Sequence, residues 1–156
     1  MERTWIKKAA GILFTDGSHM LLLKRAGQTG GEKHVGTWAL PGGKAKDGET
    51  EINAAVREAK EETGLDSIPG FRFDSLSNKN SQQKFTTFLY RVPKKFDVTL
   101  SKEHSEWAWV PFDDLRGKEL HPKFREQLPR YLTAIRRKIT KFDEWAKVTD
   151  LIVMLG

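Results

Sequence analysis

The sequence predicts a single α/β domain, and three observations carry that expectation. Short apolar runs that read as strands lie on both sides of one amphipathic, capped segment near residues 50–64, the C-terminal part has a helical pattern, and no linker, repeat or low-complexity stretch divides the 156 residues. A hydrophobic content of 38%, with five Trp and nine Phe, can build a sizeable core in a chain of this length.

Residues 6–14 are apolar and run into Asp16 and Gly17, and residues 20–23 form a second apolar run, so the pair reads as two strands joined by a tight turn. The stretch AGQTGGEKHVG at 26–36 holds four glycines and little apolar content, and reads as a loop. Trp38, Ala39 and Leu40 return briefly to a buried extended stretch, which Pro41, Gly42 and Gly43 break. Thr50 suits the N-cap of a helix running to about Thr63, and Gly64 suits the left-handed position that ends one. Within it Ile52, Ala55, Val56 and Ala59 follow i, i+3, i+4, i+7 spacing and form the expected buried stripe. Further strands are expected at 71–76, 84–92 and 106–110, the last opening onto a short turn or helix at 111–115. Residues 122–128 and 129–139 read as two helical pieces, because proline at 129 is better tolerated at a helix start than inside one.

No run approaches the roughly 18 to 20 apolar residues that span a bilayer, and the first residues lack the apolar core of a signal peptide, so a cytoplasmic chain with no membrane partner is expected. With zero cysteines, disulfides and thiolate metal sites are excluded, and any metal must be held by oxygen or imidazole. The net charge of +6 favours polyanionic partners. Its excess lies in the C-terminal part, at Lys123, Arg125, Arg130, Arg136, Arg137, Lys138 and Lys141, where a solvated helical face is the favoured explanation and a phosphate-facing one the alternative.

The expected helix carries a physical problem. Glu58 and Glu62 are i and i+4 with Glu61 beside them, so three carboxylates crowd one face, away from the apolar stripe. Like charges at that spacing cost a few tenths of a kcal/mol per pair, and they sit toward the helix end where the macrodipole disfavours anions. A solvated acidic face, with Arg57 and Glu61 as an i, i+4 pair, would explain a glutamate cluster taken alone. A hard cation such as Mg²⁺, held by carboxylate oxygens and completing its shell with water and phosphate oxygens, would compensate the crowding.

Spacing separates the two explanations. Gly43, five residues, Glu49, seven residues, and then Arg57, Glu58, Ala59, Lys60, Glu61, Glu62, Thr63, Gly64 and Leu65 resemble the Nudix box, G-x5-E-x7-R-E-U-x-E-E-x-G-U with U apolar, at every defined position over 23 residues. The stretches LLLKRA, WALPGG and EWAWVPFDDL are similar to family members and extend the resemblance to about residues 6–116.

The resemblance implies an α/β/α sandwich with a mixed sheet, in which the box forms a loop, a helix and a loop holding Mg²⁺ or Mn²⁺. It makes Glu58 and Glu62 the principal ligands, Glu61 a ligand or water-activating base, and the Gly43 carbonyl a further ligand. Arg57 would pair with a box glutamate, Glu49 foremost, and hold the ligands in place. The implied reaction is hydrolysis of a phosphoanhydride bond in a nucleoside diphosphate derivative, in which water is acidified and aimed at phosphorus and the leaving group departs as a phosphate. A nucleoside triphosphate, split in the MutT-like manner to monophosphate and pyrophosphate, is the first expectation; ADP-ribose, dinucleoside polyphosphates and capped RNA ends are alternatives. A non-catalytic nucleotide- or RNA-binding module on the same fold is opposed by the complete set of box glutamates, so nucleic acid is the less favoured partner.

Outside the box, Glu106 resembles a position from which MutT-like enzymes supply another ligand or base, with Glu103 the near alternative, and Arg25 resembles a phosphate-contacting arginine. Lys44 follows Gly43 closely enough to reach a phosphate. Each of these also reads as an ordinary surface charge. Trp38, Phe85, Phe88 and Tyr90 could stack a base, although alternating aromatics in strand-like segments are core residues by pattern. His34 could touch a substrate from the glycine-rich loop, but the four histidines show no metal-ligand spacing. No Gly-Lys-Ser/Thr follows Gly42 and Gly43, so they do not form a P-loop.

Overall fold

The computed structural model describes residues 6–27 and 33–155, with side chains through residue 138, so residues 28–32 of the glycine-rich loop and the side chain of Lys141 lie outside the described residues. The chain forms β1 (Lys7–Thr15), β2 (His19–Arg25), β3 (Trp38–Ala39), β4 (Gly42–Lys44), α1 (Glu51–Thr63), β5 (Phe71–Lys79), β6 (Gln83–Arg91), β7 (His104–Pro111), a 3₁₀ turn (Phe112–Gly117) and α2 (Pro122–Leu155). Among the described residues no helix is long and apolar enough to cross a membrane.

The first two strands meet as a hairpin only at its turn. The Asp16 carboxylate accepts the backbone N–H groups of Ser18 (2.9 Å) and His19 (2.8 Å), and β1 and β2 pair at Thr15 and Met20. Each strand then spends its hydrogen-bonding edges elsewhere. One edge of β1 runs parallel to β6 along its length, from Lys7 opposite Gln83 to Thr15 opposite Arg91, and β5 pairs antiparallel on the far side of β6. One edge of β2 runs antiparallel to β7, with a register shift between Lys24 and Arg25. The remaining edges are filled by the next segment, β3 against Leu23 and Lys24 of β2, and β4 against residues 9–11 of β1. A strand has two edges, so β3 and β4 must lie in the wedge between β1 and β2. The expected break at Pro41, Gly42 and Gly43 is thus partly a strand, and the sheet is mixed.

Alternation along the central strands divides the apolar residues between two cores. Leu13, Met20, Leu22, Leu89 and Val110 face Phe124, Leu128, Tyr131 and Ile135 of α2, whereas Ala10, Ile12, Phe14, Leu21, Leu23 and Phe88 face Ala54, Ala55 and Ala59 of α1. The result is the α/β/α sandwich. On α1 the fully buried face consists of alanines together with Glu62 and Thr63, while Ile52 and Val56 stand half-buried at its rim. Small side chains at the centre let the helix approach the sheet closely, and that same face carries Glu62 inward.

α2 is one helix where two pieces are expected. Pro129 removes an intrahelical hydrogen bond, but it lies on the exposed side, and the buried residues Phe124, Leu128, Tyr131 and Ile135 continue at helical spacing across it. Packing on both sides of the proline, with a buried hydrogen bond between the Tyr131 and Thr87 hydroxyls at 2.7 Å, holds the two halves to one sheet face.

The ends of α1 follow the expected caps. Thr50 accepts the Asn53 N–H (3.2 Å), and Gly64 takes φ 76° and donates its N–H to the Lys60 carbonyl. A Cβ on Gly64 would stand 2.8 Å from the Thr99 Cβ, and the Thr99 N–H donates to the Thr63 carbonyl at 2.9 Å. Gly64→Ala is therefore expected to cost about 1–2 kcal/mol from the left-handed backbone, before the contact with Thr99 is counted. Thermal denaturation should show a midpoint several degrees lower; an unchanged midpoint would mean that the helix end is not fixed against the segment around Thr99.

Candidate active site

The start of β4, the middle and end of α1, and the segment entering β7 converge. β4 lies beneath α1 and presents two glycines to two glutamates. The Gly42 N–H donates to Glu62 Oε1 at 2.8 Å. A Cβ on Gly43 would lie 2.6 Å from the Glu58 carboxyl carbon and 2.8 Å from each of its oxygens, so the missing side chain makes the space that the Glu58 carboxylate occupies.

Arg57 ties this cluster to the loop before α1. Its Nε and Nη2 donate to the two oxygens of Glu49, each at 2.9 Å, its Nη1 donates to Glu58 Oε1 at 2.9 Å, and its Nη2 also reaches the Lys44 carbonyl at 3.1 Å. Glu61 is 55% exposed and only 3.5 Å from Nη1. The bidentate hydrogen bond from Arg57, with the Lys46 N–H added, lowers the Glu49 pKa to about 2, and Glu49 and Glu58 in turn hold the guanidinium proton more tightly than usual.

Glu62 differs from its neighbours. It is 2% exposed, and burial raises its pKa well above the usual carboxylate range, with Glu103 and Glu58 adding to the rise and the Gly42 N–H opposing it. Glu103 and His104 are brought to it from 41 and 42 residues away: the Ala26 N–H donates to the Glu103 carbonyl at 2.9 Å, and the Thr99 bond to Thr63 anchors the same segment against the end of α1. One donor atom from each of Glu62, Glu103 and His104 lies within 4.8 Å of the others. The Nδ1 of His104 is buried without a hydrogen-bond partner, and burial lowers the His104 pKa.

A family model for the NUDIX domain matches residues 5–132. The chain belongs to this family. An 8-oxo-(d)GTP phosphatase of Mycolicibacterium smegmatis is 30% identical over 96 residues, covering 61% of this chain and 30% of that protein. A CTP pyrophosphohydrolase of Escherichia coli is 29% identical over 117 residues, covering 75% and 84%. Among solved structures, a Nudix hydrolase from M. smegmatis, RenU, superposes with a TM-score of 0.70 at 27% identity over 86% of each chain. Against the first curated relatives the chain spans 62% or less of their length.

Around the Nudix helix the other expected residues are placed unequally. Glu106 stands opposite Lys24 in the β2–β7 ladder and accepts its ammonium at 2.8 Å, a bond that lowers the Glu106 pKa; its carboxylate is exposed and is not among the group formed with Glu62. Glu103, its near alternative, is. Arg25 pairs with His104 at the end of the same ladder, and its charge disfavours protonation of both His104 and His121. Lys44 is exposed on β4, directly after the glycine that faces Glu58.

His34 takes φ 62° and sets its ring edge-on against His121, 4.5 Å between centroids. Burial, with His34 beside it, lowers the His121 pKa to about 4. Of the four aromatics, Trp38 and Phe88 are core residues, Tyr90 packs half-buried beside Phe14, and Phe85 is half-buried at the Gly11 backbone. His104 is the site residue that sequence spacing does not reveal, because its partners come from α1 and from the adjacent Glu103 rather than from a second histidine.

Proposed function

We propose that this Nudix chain acts, as one domain, as a divalent-metal-dependent hydrolase that splits a nucleoside triphosphate into monophosphate and pyrophosphate. The observation that carries the reading is the fixed pair of carboxylates, Glu58 over Gly43 and Glu62 on the Gly42 N–H, with Arg57 locking the first in place. The donors fit Mg²⁺ or Mn²⁺: carboxylates of Glu58 and Glu62, the exposed Glu61, and the carbonyl of Gly43 supply hard oxygens, and an uncompensated Glu62 is disfavoured by its own burial. Bound there, the ion would offset phosphate charge and make water more acidic.

The chain's own groups divide the remaining work. Arg57 holds Glu58 at 2.9 Å and Lys24 holds Glu106 at 2.8 Å, whereas Glu61 is 55% exposed and reached by Arg57 only at 3.5 Å, so Glu61 is the carboxylate least restrained from taking a proton from the attacking water. Arg25 and Lys44 supply positive charge at the ends of β2 and β4, where they would orient the phosphates. The water oxygen bonds to phosphorus, the anhydride P–O bond breaks, and its electron pair leaves with pyrophosphate. The names of the M. smegmatis and E. coli relatives support a triphosphate substrate.

A panel of common and 8-oxidised nucleoside triphosphates, ADP-ribose, a dinucleoside tetraphosphate and capped RNA, with products resolved by chromatography, tests the reading. The expected result is monophosphate and pyrophosphate from a triphosphate, abolished by EDTA and restored by Mg²⁺ or Mn²⁺, since an oxygen-ligand site releases these ions to a chelator. Full activity in EDTA, or no turnover of any compound, would overturn it. RNA binding that survives EDTA without turnover would favour the non-catalytic alternative instead, with the groove of about 390 Å³ lined by Asp74, Arg130, Arg137 and Lys138 as its natural location.

A further inference from the structure

We infer that Glu62, Glu103 and His104 form a nitrogen-containing metal position that extends the box site and selects a divalent transition-metal ion over Mg²⁺. The box itself offers only oxygen. Across the end of α1, however, the segment entering β7 adds an imidazole and a further carboxylate whose donor atoms lie within 4.8 Å of one another and of Glu62. Donors around one ion with bonds of about 2.0–2.2 Å are separated by about 3–4.4 Å, so small side-chain rotations bring all three onto a common centre.

Two further features of His104 fit a ligand rather than a packing residue. Its Nδ1 is buried and has no hydrogen-bond partner, which is an uncommon state for a ring nitrogen in a folded protein. The backbone around it is already engaged: the Glu103 carbonyl accepts from Ala26, the His104 N–H donates to Ser101, and His104 pairs with Arg25 at the last register position of the β2–β7 ladder. The ring is therefore delivered to Glu62 by fixed backbone while one of its nitrogens is left unsatisfied. Glu62 joins the two halves, since its neighbour Glu58 belongs to the box and Glu103 to the new position.

The choice of ion follows from donor chemistry. Mg²⁺ takes oxygen ligands in near-ideal octahedral geometry, whereas imidazole favours transition metals. A site with one imidazole and two carboxylates should bind Mn²⁺, and other first-row dications, better than the same site with oxygen donors only. This inference concerns ligation and does not depend on the substrate proposed above.

Mn²⁺ is the probe, because it is paramagnetic and reports coupled nitrogen directly. The full chain loaded with one equivalent of Mn²⁺ should show ¹⁴N modulation in its electron spin-echo envelope, and the His104→Gln variant should lose it. Titration of the same proteins should show the Mn²⁺ dissociation constant rising about tenfold or more in His104→Gln, while that for Mg²⁺ changes less than about threefold. Bound Mn²⁺ without nitrogen modulation in the wild type overturns the inference, as does failure to bind Mn²⁺, or modulation that persists in the variant. The wild-type spectrum decides by itself if the variant does not fold. Nitrogen ligation with no nucleotide turnover would sink the hydrolase reading and leave this one standing; turnover with all-oxygen ligation would do the reverse.

Discussion

Glu62→Gln is expected to lower turnover about 10²-fold or more while leaving the metal-free protein at least as stable as the wild type. Gln keeps the shape and still accepts the 2.8 Å hydrogen bond from Gly42, but it cannot supply the charge that a hard cation and a developing transition state require. The stability half follows from burial. Glu62 is 2% exposed, and its folded pKa is raised above the unfolded value of 4.5, so in the absence of metal its contribution is most favourable below about pH 4.5 and is lost as pH rises, because the unfolded chain can ionise there and the folded one resists. Gln does not titrate. In EDTA, the stability gap in favour of the variant should therefore widen between pH 5 and pH 8, measured by urea midpoints. Arg130, exposed on α2 and bonded to the Ser77 carbonyl and Gln127, is the control: Arg130→Gln should change turnover little. A Glu62→Gln enzyme with near-normal turnover would remove this glutamate from the mechanism, and a destabilised metal-free variant would show that the carboxylate is satisfied by the protein alone.

The parts of the fold that are legible in the sequence are those whose determinants are close in the chain. Thr50 and Gly64 cap α1 as their chemistry dictates, and the box spacing places Glu49, Arg57 and Glu58 together because one turn and one helix suffice to do so. Non-local pairing is where local pattern stops informing. Two apolar runs joined by Asp16 and Gly17 read as a hairpin, yet nothing in either run shows that β3 and β4, from residues 38–44, will wedge between them. Pro129 signals a helix boundary locally, and only the sheet on which Leu128 and Tyr131 both pack shows why the helix continues. The same reasoning explains Glu62. An apolar stripe found by counting apolar residues leaves a glutamate on the solvent side, whereas the alanine-rich contact with the sheet rotates it inward against Gly42. Glu103 and His104 reach it through two long-range backbone hydrogen bonds, Ala26 to Glu103 and Thr99 to Thr63, and no spacing rule encodes those.

Arg57→Lys is expected to reduce kcat/KM by about 10- to 100-fold and to leave a distinctive signature in acid. The guanidinium fork donates to both oxygens of Glu49, to Glu58 and to the Lys44 carbonyl, so it sets the relative positions of the loop before α1, β4 and the Glu58 carboxylate at once. A lysine keeps the charge but concentrates its donors at one point and cannot span these partners, and loss of such outer support commonly costs one to two orders of magnitude in metal affinity or activity. The acid signature follows from Glu49. Its folded pKa is about 2 against 4.5 for the free group, chiefly through the hydrogen bonds from Arg57, so the stability it contributes is present above pH 4.5 and disappears as pH falls toward 2. In Arg57→Lys the Glu49 pKa should return toward 4.5, and that contribution should vanish at every pH. The stability difference between wild type and variant should then be constant from pH 5 to pH 7 and narrow by pH 3, which urea midpoints taken in EDTA can resolve. A difference that stays constant down to pH 3 would assign the loss to packing of the arginine stem against α1, and would leave the Glu49 pair without a part in holding the site together.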